Sequence, residues 1–385
     1  MAAPTLIGSH ARPQTERPTW RERFIAARNR LLMNAEFQAW AARFPLTRGL
    51  VAKRAHALFD VVVGFVYAKV AAASVELGLL DALARGAMDR GALAQAIGLA
   101  PPAADALFKA AAALDLIGPI GPDRLALGMQ GAALLGTPGV RDIIIHHALL
   151  YADMVDPVAF LRRAGPSRLG SYWSYAANPE PRDVAADSAA SYSTLMARSQ
   201  PMVAAQAIAA YPFGRARAIL DVGGGEGAFL AAIAPVAPAA GLMLFDLPAV
   251  VERARANFAV AGLADRVRIF AGDFHGDPLP KGADLITFVR VLHDHDDPQA
   301  LALLKSARRA LPPGGRVAII EQMGGSSAVS DAFFNLYLLG MGSGRARTPA
   351  EVGRLMRDAG FRRVRRIDTP TPLIAEILEG VVATD

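Results

Sequence analysis

The chain has 385 residues, 53% of them hydrophobic and none of them cysteine, which excludes disulfides, thiolate metal sites and thiol catalysis. Its length predicts two compact units plus an arm. The formal charge of +6 is unevenly placed: residues 1–54 hold ten Arg or Lys against three Glu, a surplus of seven, so the other 331 residues sum to −1 and the basic character belongs to the arm.

The N-terminus has no basic segment followed by an apolar stretch, so no signal peptide is expected and the cytoplasm is the expected location. Residues 1–19, rich in Pro, Thr and Arg, are expected to be disordered. From Trp20 the apolar positions Trp20, Phe24, Ala27 and Leu31, then Met33, Phe37, Trp40 and Phe44, fall at helical spacing, with Asn34 as a cap between two helices and Pro45 as the stop. Arg21, Arg23, Arg28 and Arg30 lie among them. This basic arm, residues 1–55, has two readings: it packs on a partner copy, or it lies as a basic amphipathic helix on a membrane.

Residues 56–135 read as a second unit. The apolar region Ala55–Leu83 is interrupted by Asp60, Lys69, Glu76 and Asp81, which a spanning helix of about twenty apolar residues would avoid. A buried helix pair is expected there instead. A helix over Val61–Leu83, a short one over Arg90–Ile97, a third over Pro102–Leu116 and a small hairpin over Gly118–Leu127 follow the winged-helix order, whose familiar use is DNA binding. The third helix, in the recognition position, holds one Lys and two Asp. Phosphate contacts need several cations there, so no nucleic-acid partner is expected and a transcription regulator is the lesser reading.

Residues 136–205 read as mainly helical, with Tyr151, Phe160, Tyr172, Trp173, Tyr175 and Tyr192; aromatics at such spacing are more often core than binding box. From residue 206 strand and helix alternate as in a doubly wound α/β sheet. The apolar run Ala218–Val222 ends in Gly223-Gly-Gly-Glu-Gly and turns helical at Ala228. Gly223 turns the chain, and Gly225 lets a ligand touch backbone. Glu226 at the helix N-terminus suits the dipole but would repel a pyrophosphate, so the loop prefers a nucleoside without phosphates. The strand Gly241–Phe245 closes on Asp246, placed to accept from ribose hydroxyls. The strand Val267–Ala271 closes on Gly272-Asp273-Phe274, an acid for an adenine amino group and a ring to pack on it.

A fourth strand, Ala283–Val291, runs into His293-Asp-His-Asp-Asp297. Carboxylates and imidazoles bind divalent ions, yet 293 and 295 would face opposite ways in a strand, and Asp296-Asp297-Pro298 suits a helix cap. No metal is expected. Strands over Arg316–Glu321, Phe361–Ile367 and Leu373–Leu378 complete the sheet, with helices over 248–261, 297–310, 330–341 and 349–359.

In order, DVGGGEG, FDLP, GDF, RVLHDHDD, LPPGGRVAIIEQM and GRART span residues 218–348. On these motifs the chain resembles the class I S-adenosylmethionine-dependent small-molecule O-methyltransferases. RNRLLMNAEFQAWAARFPLTR and FDVVVGFVYAKV, in the N-terminal portion, are similar more narrowly to the hydroxyneurosporene or demethylspheroidene O-methyltransferases of purple photosynthetic bacteria. The resemblance implies S-adenosylmethionine as cofactor, held by Asp221, Gly223, Gly225, Asp246, Leu247, Asp273, Phe274 and Met196. It implies His293 as general base, with Glu321 orienting it and Asp294 beside it in the catalytic set. It makes residues 56–135 a winged-helix-like dimerisation domain, 136–205 a helical bridge covering the pocket and 206–385 the catalytic domain of a homodimer.

The chain departs from the family at two places. The family commonly carries a second acid in G-R-E-R-T, where Gly344-Arg-Ala-Arg-Thr348 has Ala346; and Val289 stands where relatives often have a polar cofactor contact. The helix Asp331–Met341 is apolar all round and so expected to be buried; in the family it lines the acceptor pocket, here with Phe334, Tyr337, Leu338 and Met341. Such walls imply an apolar hydroxylated acceptor. The tertiary hydroxyl of an acyclic carotenoid fits both them and a basic arm on the inner photosynthetic membrane. A phenolic metabolite and C-methylation of a bacteriochlorophyll precursor are the alternatives.

Overall fold

The computed structural model describes residues 18–163, 167–172 and 186–384. Residues 1–17 of the stretch expected to be disordered, Trp173, Tyr175 and the side chain of Tyr192 lie outside that description. The chain falls into two compact units, Met1–Val70 and Ala71–Asp385.

In the first unit, helix α1 (Trp20–Leu32) starts at a capping box in which Thr19 and Glu22 exchange bonds. Helix α2 (Ala35–Arg43) starts where expected, the Asn34 side chain accepting from the Phe37 N–H at 2.7 Å. Helix α3 (Arg48–Glu76) corrects the expectation of a buried pair over 55–83. Its only buried residues are Ser74 and Val75, while Leu58, Phe59, Val61, Val62 and Phe65 are 61–78% exposed. These side chains make a broad apolar face that the described residues leave open. By length and composition α3 is also apolar enough to cross a membrane. Gly78, at φ 68°, takes the left-handed turn that separates α3 from the buried α4 (Leu79–Leu83).

The second unit begins with the winged-helix arrangement. Strand β1 (Met88–Asp89) leads into α5 (Arg90–Ala96) and α6 (Pro101–Ala113); β2 (Ile117–Pro119) and β3 (Arg124–Leu127) follow, β3 pairing antiparallel with both neighbours. Two more helices, α7 (Met129–Leu135) and α8 (Pro138–Asp153), lead towards the long helix Ala186–Ala210, here called the covering helix, which packs on α8.

The remaining strands form one sheet in the order β6-β5-β4-β7-β8-β10-β9. They are β4 (Ala218–Val222), β5 (Gly241–Asp246), β6 (Val267–Ala271), β7 (Leu285–Val289), β8 (Arg316–Glu321), β9 (Arg362–Ile367) and β10 (Glu376–Val381). From β6 to β8 all neighbours are parallel; β10 runs antiparallel to both β8 and β9. Near-continuous apolar runs are what a sheet covered on both faces requires. Leu220, Val222, Ile286, Phe288, Val317 and Ile319 enter the core on one face, and Ile219, Leu285, Ala318 and Ile320 the core on the other. The doubly wound architecture is therefore the one the alternation predicts. The last strand differs, starting at Glu376 rather than Leu373. Its acids are buried because arginines meet them: Glu376 pairs with Arg366, and Glu379 with Arg365 and the Tyr211 hydroxyl. The parallel order brings the carboxyl ends of β4, β5, β6, β7 and β8 to one edge, where ligands bind in such sheets.

Candidate active site

The glycine loop leaves β4 through two left-handed positions, Gly223 at φ 69° and Gly225 at φ 59°. A side chain would be strained at both. The Gly223 N–H donates to the Phe245 carbonyl at 2.9 Å, and the Gly225 N–H donates to the Asp246 carboxylate at 2.7 Å. The other Asp246 oxygen accepts from the Leu247 N–H at 2.7 Å. Each oxygen thus keeps a lone pair for a further donor. Burial, opposed by these two N–H groups, pushes the Asp246 carboxyl up to about 6. A Cβ on Gly225 would meet nothing within 4 Å, so backbone faces open space at the point where a ligand would approach it.

Asp221 is placed differently. It is wholly buried under the loop, one oxygen accepting from the Thr287 hydroxyl at 2.6 Å, and burial raises it to about 7. A Cβ on Gly224 would overlap its carboxylate, so it shapes the loop from beneath. Glu226 is paired with Arg253 of the helix Pro248–Val260, which follows β5. Phe274 reaches the loop, its ring 3.5 Å from where a Gly223 Cβ would stand. Asp273 accepts from the His275 N–H at 2.9 Å. The rings of Phe274, His275 and His295 meet edge to face at 4.8–5.5 Å. Gly223, Gly225, Asp246, Leu247 and Phe274 therefore stand together at the carboxyl edge of the sheet, with carboxylate lone pairs on one side and an aromatic ring on the other. That combination fits an adenosyl group.

β7 stops at Val289, short of the expected Val291, and residues 292–294 form a single 3₁₀ turn instead of continuing the strand. Strand alternation therefore gives no argument about His293 and His295; among the described residues no group of three or more His, Asp or Glu could hold a metal. The turn buries His293 between two acids: Nε2 is 3.3 Å from Asp294 Oδ1, and Nδ1 is 3.7 Å from Glu321 Oε2. The same Glu321 oxygen accepts the His293 backbone N–H at 3.2 Å. Burial, and then the nearby Arg290 cation, pushes the His293 imidazole down to about 3. Burial raises Glu321 to about 7 and Asp294 well above its usual range. All three shifts have the same cause: a water-poor site disfavours charge. Burial therefore favours the neutral form of the imidazole.

Phe334 packs edge to face on the His293 ring at 5.0 Å. It belongs to the helix Ala328–Met341, here the pocket helix. Tyr337, Leu338 and Met341 are buried in one cluster with Leu150 and Leu169, and Phe334, Met196 and Ala346 pack against it. Met196 thus sits with the expected acceptor residues, its carbonyl accepting from Arg290 at 2.8 Å. The pocket helix is buried on this side only: Val329 is 80% and Phe333 37% exposed.

Sequence reasoning missed three residues. Arg347 is 1% exposed and donates to the carbonyls of Leu292 at 2.8 Å and His295 at 2.7 Å, and to Asp297 at 2.8 Å, so that it grips the His293 turn from both ends. Arg290 has φ 55° and bonds to the covering helix. His146 shares a 2.7 Å hydrogen bond with the Tyr337 hydroxyl at the wall of the acceptor cluster; nothing in the sequence of α8 singled it out.

Comparison with known proteins identifies the family and the fold. The O-methyltransferase domain family matches residues 158–362. The demethylspheroidene O-methyltransferase of Cereibacter sphaeroides is 39% identical over 92% of this chain and 94% of its own length. That of Rhodobacter capsulatus is 38% identical over 88% of this chain and 84% of its own. The crystal structure of human N-acetylserotonin methyltransferase in complex with S-adenosylmethionine superposes with a TM-score of 0.73, covering 86% of this chain and 98% of that one at 23% identity, which supports the fold.

Proposed function

We propose that this chain, which belongs to the O-methyltransferase family, transfers a methyl group from S-adenosylmethionine to the tertiary 1-hydroxyl of an acyclic carotenoid of the hydroxyneurosporene or demethylspheroidene type. The observation that carries this reading is the buried, neutral His293 with the Phe334 ring of an apolar cluster at 5.0 Å, in a chain 39% identical to an enzyme named for that acceptor. The donor supplies a methyl carbon already activated by its sulfonium. The chain's own residues do the rest. Asp246 with the Gly225 and Leu247 amides holds the ribose, and Asp273 and Phe274 take the adenine. Phe334, Tyr337, Leu338 and Met341 exclude water around the acceptor. His293 accepts the hydroxyl proton as the C–O bond forms, since a tertiary alcohol is far too weak an acid to be deprotonated beforehand. Glu321 and Asp294 orient the ring, and the charge that His293 gains draws them towards their ionised forms.

A homodimer through residues 20–135 is part of the same proposal. Its support is the open apolar face of α3, too large to be left in water. The basic arm, with exposed Trp20 and Phe24 among its arginines, favours peripheral contact with the anionic inner membrane, where such an acceptor dissolves. Incubation of the purified protein with labelled S-adenosylmethionine and a panel of tertiary-hydroxyl carotenoids, phenols and chlorins tests the acceptor. Label in the carotenoid ether alone is expected; label in a phenol or a chlorin would overturn the assignment.

A further inference from the structure

Arg290 is one of four non-glycine residues with positive φ among the described residues. A left-handed arginine costs about 1–2 kcal/mol and persists only where its surroundings over-determine it. Its own backbone N–H stays in the ladder, donating to the Ile320 carbonyl at 3.0 Å. The side chain is what the strained backbone redirects. The guanidinium donates to Met196 O and Ser199 Oγ, both at 2.8 Å, and to Gln200 Oε1. These three acceptors lie within about one turn of the covering helix, immediately before Pro201. A proline inside a helix removes a backbone bond and bends the helix there. The grip therefore falls at the helix's weakest point.

Two further contacts place this grip in the site. Val291, next in the chain, lies 2.9 Å from where a Gly223 Cβ would stand, so the residue flanking Arg290 abuts the glycine loop. On the other side, Gly139 at the start of α8 approaches Arg198 and Ser199 so closely that a Cβ would come within 2.9 Å of them. Residues 196–200 are thus held between α8 and the sheet edge, and Met196 passes this position on to the acceptor cluster.

We infer that Arg290 is a positioning residue that latches the covering helix to the turn carrying His293, keeping the donor pocket and the base in one register. Its charge has a second effect. After burial, Arg290 is the largest influence keeping His293 unprotonated; Arg347, from the segment after the pocket helix, and His295 act in the same direction. Glu321 from β8 and Asp294 face the ring as well, the pocket helix packs the uncharged Phe334 on it, and the covering helix meets Arg290 through neutral groups.

The inference rests on the donor and base assigned above, and three variants separate its parts. Arg290→Met removes latch and charge, Arg290→Lys keeps the charge without the fork, and Gln200→Leu weakens the latch from the helix side. Calorimetry with S-adenosylhomocysteine, amide exchange over residues 196–200 and an NMR titration of His293 are the readouts. Arg290→Met should bind about tenfold more weakly, lose protection over 196–200, and titrate at higher pH. Arg290→Lys and Gln200→Leu should lose affinity and protection while His293 titrates as in the parent. Parental affinity and protection in folded Arg290→Met would overturn the latch; should that variant not fold, the same result in Gln200→Leu overturns it. Failure of the parent protein itself to bind S-adenosylhomocysteine would overturn the donor reading, and the exchange measurement would still decide the latch.

Discussion

Replacing Arg347 by Met keeps much of the side-chain volume and removes the guanidinium from a position 1% exposed. The carbonyls of Leu292 and His295 then lose this donor, and Asp297 loses one partner. An unsatisfied buried acceptor costs about 1–3 kcal/mol. Asp297, itself 45% exposed, is rescued by water and by Arg345. The Leu292 carbonyl keeps the His295 N–H at 3.2 Å as its remaining donor, so the net loss should be about 1–3 kcal/mol. The same carbonyls bracket the base, and a shift of about 1 Å in a reacting group costs about 10²-fold in rate. Turnover should therefore fall by about that factor, while affinity for S-adenosylhomocysteine stays, because Arg347 touches neither Asp246 nor the glycine loop. Arg345→Met is the control. Its pairs with Asp297 and Glu351 are 31–45% exposed and worth about 0–1 kcal/mol. Urea denaturation and steady-state kinetics on both variants decide it. A near-parental midpoint and turnover in Arg347→Met would refute the claim that this residue holds the His293 turn.

His293→Gln and His293→Ala should keep cofactor affinity and lose about 10²–10⁴ in turnover, measured with label at saturating donor; nearly full turnover would reduce His293 to packing. Because its pKa is depressed to about 3, the parent's rate should show no His293 titration between pH 6 and 8, the window that an ordinary imidazole would set. Asp246→Ala should weaken S-adenosylhomocysteine by about 1.5–3 kcal/mol in calorimetry; parental affinity would move the ribose elsewhere. Glu321 has a folded pKa near 7 against 4.5 unfolded, so the folded state holds the extra proton between these values and its contribution to stability is full below 4.5 and lost as pH rises through 7. Glu321→Gln should flatten that decline in thermal melts at pH 5 and pH 8, and an unchanged slope would count against the buried acid. Light scattering at micromolar concentration should give a dimer that Phe59→Asp with Phe65→Asp splits; a dimer indifferent to both would place the interface off α3.

The sheet and the donor pocket were legible because each rests on local rules. An apolar run ending in glycines is a parallel strand with a loop, and an acid one strand on stands where a ribose would lie; β4, Gly225 and Asp246 follow from that. The end of β10 was not legible, since an apolar count places the strand at Leu373, which is 51% exposed, while Glu376 and Glu379 are buried by arginines from other strands. Arg347 and Arg290 were hidden for the same reason. A buried cation is stabilised by carbonyls far away in the chain, and no periodicity records them. α3 reversed the usual inference. Its residues 58–66 have the composition of a core, yet Leu58, Phe59, Val61, Val62 and Phe65 are exposed.

Ala346 follows from the same physics. The resemblance leads one to expect an acid there, bracketing the histidine, and its loss would seem to weaken the base. In the fold Ala346 is half-buried against the cluster that holds Tyr337, Leu338 and Met341, so a carboxylate at that position would border an apolar wall and lose part of its hydration. The bracket is still complete. Asp294, adjacent to His293 in the chain, is 3.3 Å from Nε2, and Glu321 is 3.7 Å from Nδ1. The site keeps two acids against one imidazole and leaves the acceptor side without charge. A pocket for a polyhydroxylated acceptor has a use for a further acid near the reacting hydroxyl. One for a long hydrocarbon with a single hydroxyl does not, and the alanine at 346 is the residue such an acceptor requires.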